Sequence, residues 1–150
     1  METLFAVLHV VSAVFIVGPM AILPMTAMRA VRAGNASQVS TLAKSTNLLS
    51  LLSILVVFFG FGVMGLADKK YELSVTTPWI LWSIIAYVVA LGLTLFVVVP
   101  TMRRAAEELE TAAAATAPGQ PSRGYPAIAA ASGVASLLLV VVVVLMVWKP

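Results

Sequence analysis

Charged residues cut this chain into four long apolar stretches. Positions 3–28, 45–67, 73–102 and 124–148 hold no Asp, Glu, Lys or Arg, and run for 26, 23, 30 and 25 residues, together 104 of 150. A helix of about 20 residues crosses ~30 Å of hydrocarbon, so each stretch is long enough to span a bilayer. The stretches lack the charged face that every helix of a water-soluble bundle needs. They also lack the alternating segments of about ten residues that mark an outer-membrane barrel. The pattern predicts an all-α polytopic membrane protein with four transmembrane helices in one up-down bundle. Residues 1–150 read as a single domain, with spans at about 4–28, 48–66, 78–100 and 126–148.

Within the first span, Gly18, Pro19 and Pro24 predict a structural hinge. Each proline removes a backbone hydrogen bond and crowds the carbonyl four residues earlier, Phe15 or Met20. In a bilayer such a carbonyl needs a neighbouring helix or water. Gly34 suits a helix C-terminus. Asn35 followed by Gln38 resembles a capping box, so the second helix is expected to begin near Ala36, outside the hydrocarbon. Its far end carries Gly60, Gly62 and Gly65. Thr77-Pro78 reads as an N-cap with proline at N1, and Trp79 and Trp82 then lie at interfacial depth. Past Pro100 the sequence turns alanine-rich, with Arg103–Glu107 and Arg104–Glu108 spaced i,i+4, which predicts a helical extension into water. Pro118-Gly119-Gln120-Pro121 stops it. A short internal echo links Leu23-Pro24-Met25-Thr26-Ala27-Met28-Arg29 to Val99-Pro100-Thr101-Met102-Arg103. Small residues spaced by four, Ala86/Ala90, Ala129/Gly133 and Ser132/Ser136, predict close helix seams, and Ser50 and Ser53 are candidates for bonds between helices.

Composition sharpens this picture. Hydrophobic residues make up 61% and charged residues 10%, with mean hydropathy +1.07. That excludes a soluble enzyme and a disordered chain. The net charge is +3 and the pI about 9.6, but the basic residues flank the spans. They therefore read as topology determinants and headgroup contacts, with the lipid bilayer and not nucleic acid as partner. Six basic residues (Arg29, Arg32, Lys44, Arg103, Arg104, Arg123) fall in the first and third loops against three (Lys69, Lys70, Lys149) on the other side. The positive-inside rule then predicts a multi-pass protein of the bacterial cytoplasmic (inner) membrane with both termini outside. The start lacks the basic n-region of a secretory signal, so the first apolar run is expected to remain as a helix. There is no cysteine, which excludes disulfides and thiolate sites.

Candidate chemistry is sparse. His9 is the only histidine and lies about 7–10 Å below the interface at 1.5 Å per residue. An imidazole at that depth either hydrogen-bonds a neighbouring helix or acts as a ligand to haem iron or copper. Met64 and Met146, in the same leaflet, are the candidates for a second soft ligand. Arg29, Arg32, Arg103 and Arg104 are candidates for an anionic lipid contact if the first and third helices adjoin. No protease, hydrolase, P-loop or dinucleotide motif is present, and the spans hold no acidic residue. No catalytic residue and no metal site is assigned.

Leu8-His9, Gly18 and Leu23-Pro24 resemble the first helix of an uncharacterised bacterial family of four-span predicted integral membrane proteins. The same residues resemble, more distantly, the membrane-type protoporphyrinogen oxidase and copper-resistance D-type membrane domains. The oxidase resemblance implies b-type haem on His9; Val17 and Met25 stand where that family has an aromatic residue and an arginine. The leading expectation is a membrane protein without a catalytic site, acting as an accessory subunit of a larger membrane complex and binding no cofactor. The alternatives are a redox protein holding haem b on His9, and a small-molecule or lipid transporter.

Overall fold

The computed structural model describes residues 1–66, 74–114 and 125–148. The charges at Asp68, Lys69, Lys70 and Glu72, the Pro118–Pro121 stop, Arg123 and Lys149 lie outside the described residues. Four helices are long and apolar enough to cross a membrane: α1 (Thr3–Arg32), α2 (Ala36–Leu66), α3 (Pro78–Ala114) and α4 (Tyr125–Trp148). The described residues contain no strand. The structure is a four-helix membrane bundle in which α1 packs on α2 and α4, and α3 packs on α2 and α4.

The helix ends follow local chemistry. Gly34 takes φ 68°, a conformation open to a residue without Cβ. The Asn35 N–H then reaches the Ala30 carbonyl at 3.0 Å and the Gly34 N–H reaches Val31 at 3.1 Å, closing a Schellman motif. Asn35 Oδ1 accepts the Gln38 N–H at 3.0 Å and starts α2. Pro78 is at the first turn of α3 and Thr77 is the N-cap residue, as expected, but its hydroxyl does not cap the helix. It accepts the Ser74 N–H at 3.1 Å instead, so it closes the preceding turn.

At 1.5 Å per residue α3 is ~55 Å long, well beyond ~30 Å of hydrocarbon. The surplus projects at the end carrying Arg29, Arg32, Arg103 and Arg104, here called the arginine end. There Ala27, Ala30, Val39, Ala43, Met102, Ala105 and Ile128 form the larger buried cluster. A second cluster, Met20, Ala90, Ala135 and Leu139, lies nearer the middle of the spans. Toward the opposite end the two hairpins separate. Glu2–Ser12 packs on α2, and Pro78–Leu93 packs on α4. The asymmetry has a physical cause. Outside the hydrocarbon, water drives apolar side chains together. Inside it, lipid tails are as apolar as leucine, and only packing and hydrogen bonds hold helices together.

Candidate functional site

The α1–α2 seam is built on glycine. Phe5 and His9 are four residues apart on α1 and so share one face. A Cβ at Gly60 would stand 3.0 Å from His9 Cε1, and a Cβ at Gly62 would overlap the Phe5 ring. The missing side chains admit both rings. The Phe5 ring also meets Phe59 edge to face at 6.3 Å. A Cβ at Gly65 meets nothing within 4 Å, so the glycine-rich end of α2 contains two seam glycines and one that is not.

His9 Nδ1 lies 2.8 Å from the Val56 carbonyl oxygen. A carbonyl only accepts, so Nδ1 carries the proton in this bond. This bond sits in hydrocarbon, where water does not compete for it. The Nδ1–Cε1 edge rests against α2, 3.2 and 3.0 Å from the point a Gly60 Cβ would occupy, and Nε2 stands further off at 3.9 Å. Of the methionines considered as a second ligand, Met146 is on α4, which meets α1 mainly through Gly18–Arg32.

The prolines shape the helices through wide turns. Ala13–Val17 is a π turn in which the Gly18 N–H bonds the Ala13 carbonyl, five residues back, immediately before Pro19. The extra residue gives the pyrrolidine ring room. The same device recurs in α3. Thr94–Val98 is a π turn closed by the Val99 N–H on Thr94, immediately before Pro100. Residues 13–19 (AVFIVGP) therefore match 94–100 (TLFVVVP) in sequence and in shape. Phe15 and Phe96 hold equivalent places and are 72% and 81% exposed. Sequence reasoning aligned Pro100 with Pro24; the structural equivalent is Pro19, and the shared Phe at four residues before each proline was the available signal. Pro24 is buried inside regular helix. Near it, the Ser136 hydroxyl on α4 donates to the Ala21 carbonyl at 3.3 Å, one residue beyond the Met20 carbonyl expected to need a partner.

The hydroxyls inside the bundle are engaged. Thr46, Ser50, Ser83 and Thr94 each donate to the carbonyl four residues earlier at 2.7–2.8 Å. Ser50 is therefore bonded within its own helix, contrary to the expectation of a cross-helix bond. Ser53 does make one, to the Tyr87 hydroxyl of α3 at 2.6 Å. Among the described residues no buried side-chain nitrogen or oxygen lacks a partner. Ala86, Ala90 and Ser132 are buried seam residues as expected, whereas a Cβ at Gly133 would meet nothing within 4 Å.

Three of the four arginines of the arginine end, Arg32, Arg103 and Arg104, have different neighbours. The Arg32 guanidinium lies 4.9 Å over the Tyr125 ring at the start of α4. Arg103 lines a groove of about 330 Å³ between α2 and α3, together with Ser40, Lys44, Ala106, Glu107 and Glu110. Arg104 lines a shallower one with Glu107, Glu108 and Thr111. Lys44, absent from the set singled out in the sequence, is the basic residue that accompanies Arg103.

No curated protein and no solved structure matches this chain. Residues 3–150 match the model of a family described as "predicted integral membrane protein (DUF2269)", and the chain belongs to that family.

Proposed function

We propose that the protein is a non-catalytic accessory subunit of a larger membrane complex, docked through the outward face of α1. The observation that carries this reading is the thin cover of that helix. In its most apolar 18-residue stretch only 6% of residues are buried, against 33% in α3. Yet α1 is the most elaborated span, with a π turn, two prolines and a histidine tied to α2. A helix held this firmly in its own hairpin, while open along the rest of its circumference, suits a partner helix. The engaged hydroxyls support the non-catalytic part, since each reaches a protein acceptor instead of a cavity. His9 is, in this reading, a tie between helices and not a haem ligand. The test is copurification of the full chain from native membranes in mild detergent. A stoichiometric membrane partner supports the proposal, and a monodisperse single chain under several detergents overturns it.

The setting proposed is the bacterial inner membrane with both termini outside. The support is the six-to-three bias of basic residues. One observation favours a second reading, a small-molecule or lipid transporter. The paired π turns before Pro19 and Pro100 stand at matching places in the two hairpins, where hairpins could rock against each other.

A further inference from the structure

The groove between α2 and α3 combines charges of both signs at a defined depth. Lys44 is the last charged residue before the apolar run of α2, and Arg103 the first after the apolar run of α3. The two cations therefore flank the level where hydrocarbon ends. Glu107 and Glu110 follow on the same helix about 6 Å and about 10 Å further out. Ser40 stands about 6 Å further out than Lys44 on the antiparallel α2, on the same side as Glu107. All of these line one groove of about 330 Å³. The four charged side chains are exposed, so they are free to meet a ligand.

We infer that this groove binds the headgroup of a zwitterionic phosphoethanolamine lipid. The phosphate lies between Lys44 and Arg103, and the ammonium lies on Glu107 and Glu110. The order of charges along the membrane normal matches that of the lipid, with phosphate at the hydrocarbon boundary and ammonium outside it. The ammonium stands two carbons from the phosphorus ester, a spacing comparable with the rise of about 6 Å from Arg103 to Glu107. A primary ammonium offers three donors to the carboxylates. A choline headgroup offers none and is better met by an aromatic cage. A purely anionic headgroup would be repelled by the two carboxylates that face it. The Arg103 fork suits a phosphate diester, with Lys44 as the second point charge.

The test is native mass spectrometry of the full chain in mild detergent with equimolar phosphatidylethanolamine, phosphatidylcholine and phosphatidylglycerol. The ethanolamine lipid should be retained over each of the others by about tenfold, equivalent to about 1.4 kcal/mol. The pair Lys44→Gln/Arg103→Gln should lower retention of all three. The pair Glu107→Gln/Glu110→Gln should remove the ethanolamine preference and raise the phosphatidylglycerol adduct. These side chains are on the surface, and circular dichroism checks that each variant keeps its helices. Soluble glycerophosphoethanolamine in excess should leave the lipid adduct in place. Equal retention of the three lipids, a preference unmoved by the glutamate pair, or displacement by the soluble ester would each overturn the assignment.

Discussion

Adding one methyl group at Gly62 tests the α1–α2 seam. The new Cβ of Gly62→Ala would overlap the Phe5 ring. One response is for Phe5 to swing away and lose its edge-to-face contact with Phe59, which is valued at about 0.5–1.5 kcal/mol beyond area. The other is for the helices to part, stretching the His9–Val56 bond, in a class that averages about 0.6 kcal/mol in membranes. Either way the cost falls in the overpacking range of about 1–3 kcal/mol. Alanine also favours the helix by up to about 1 kcal/mol over glycine, which would mask part of the effect. Gly65→Ala supplies the control. It sits one turn further along the same helix and gains the same propensity, but its Cβ meets nothing within 4 Å. The difference between the two variants therefore isolates the clash, and Gly62→Ala should be the less stable by about 1–3 kcal/mol. Unfolding in mixed detergent micelles measures the difference. Phe5→Ala should relieve most of it, because it removes the ring that the new methyl meets. Equal stability of the two alanine variants would refute the seam.

Three further predictions follow from the same structure. The purified protein from haem-replete cells should be colourless, and His9→Ala should cost about 0.6–2 kcal/mol as a lost interhelical hydrogen bond; a Soret band abolished by that substitution would contradict the tie. Pro19→Ala lets the wide turn at Ala13–Val17 close, which would rotate the preceding segment by about 100° and carry Phe5 and His9 off the glycine seam, so thermal stability in detergent should fall. An unchanged melting temperature would mean that the wide turn does not aim those rings. Cysteine placed at Ser37 should resist a membrane-impermeant thiol reagent in intact cells while cysteine at Ser74 reacts, and the reverse pattern would invert the proposed orientation.

The spans were legible in the sequence because hydrocarbon imposes a length and forbids charge, and both are one-dimensional properties. The Gly34–Asn35 break was legible for a similar reason: its chemistry is local to a few residues. The Thr77 hydroxyl was misassigned because two local acceptor roles, helix cap and preceding turn, compete at one residue. The seam glycines were visible as a cluster, but which of them face α1 depends on how two helices rotate against each other. The wide turn before Pro19 adds one residue to that rotation, so an ideal helical wheel mispredicts the face upstream of it. The same holds for the groove. Lys44 and Arg103 are far apart in sequence, and only the crossing of α2 and α3 brings them together.

Photo-crosslinking along α1 in native membranes tests the proposed function most directly. A crosslinker at Val11 or Phe15, which are 48% and 72% exposed, should yield a discrete adduct with a different membrane protein. The same group at Ala27, which is fully buried, should yield none. Adducts with lipid alone, or only with a second copy of this chain, would contradict the account.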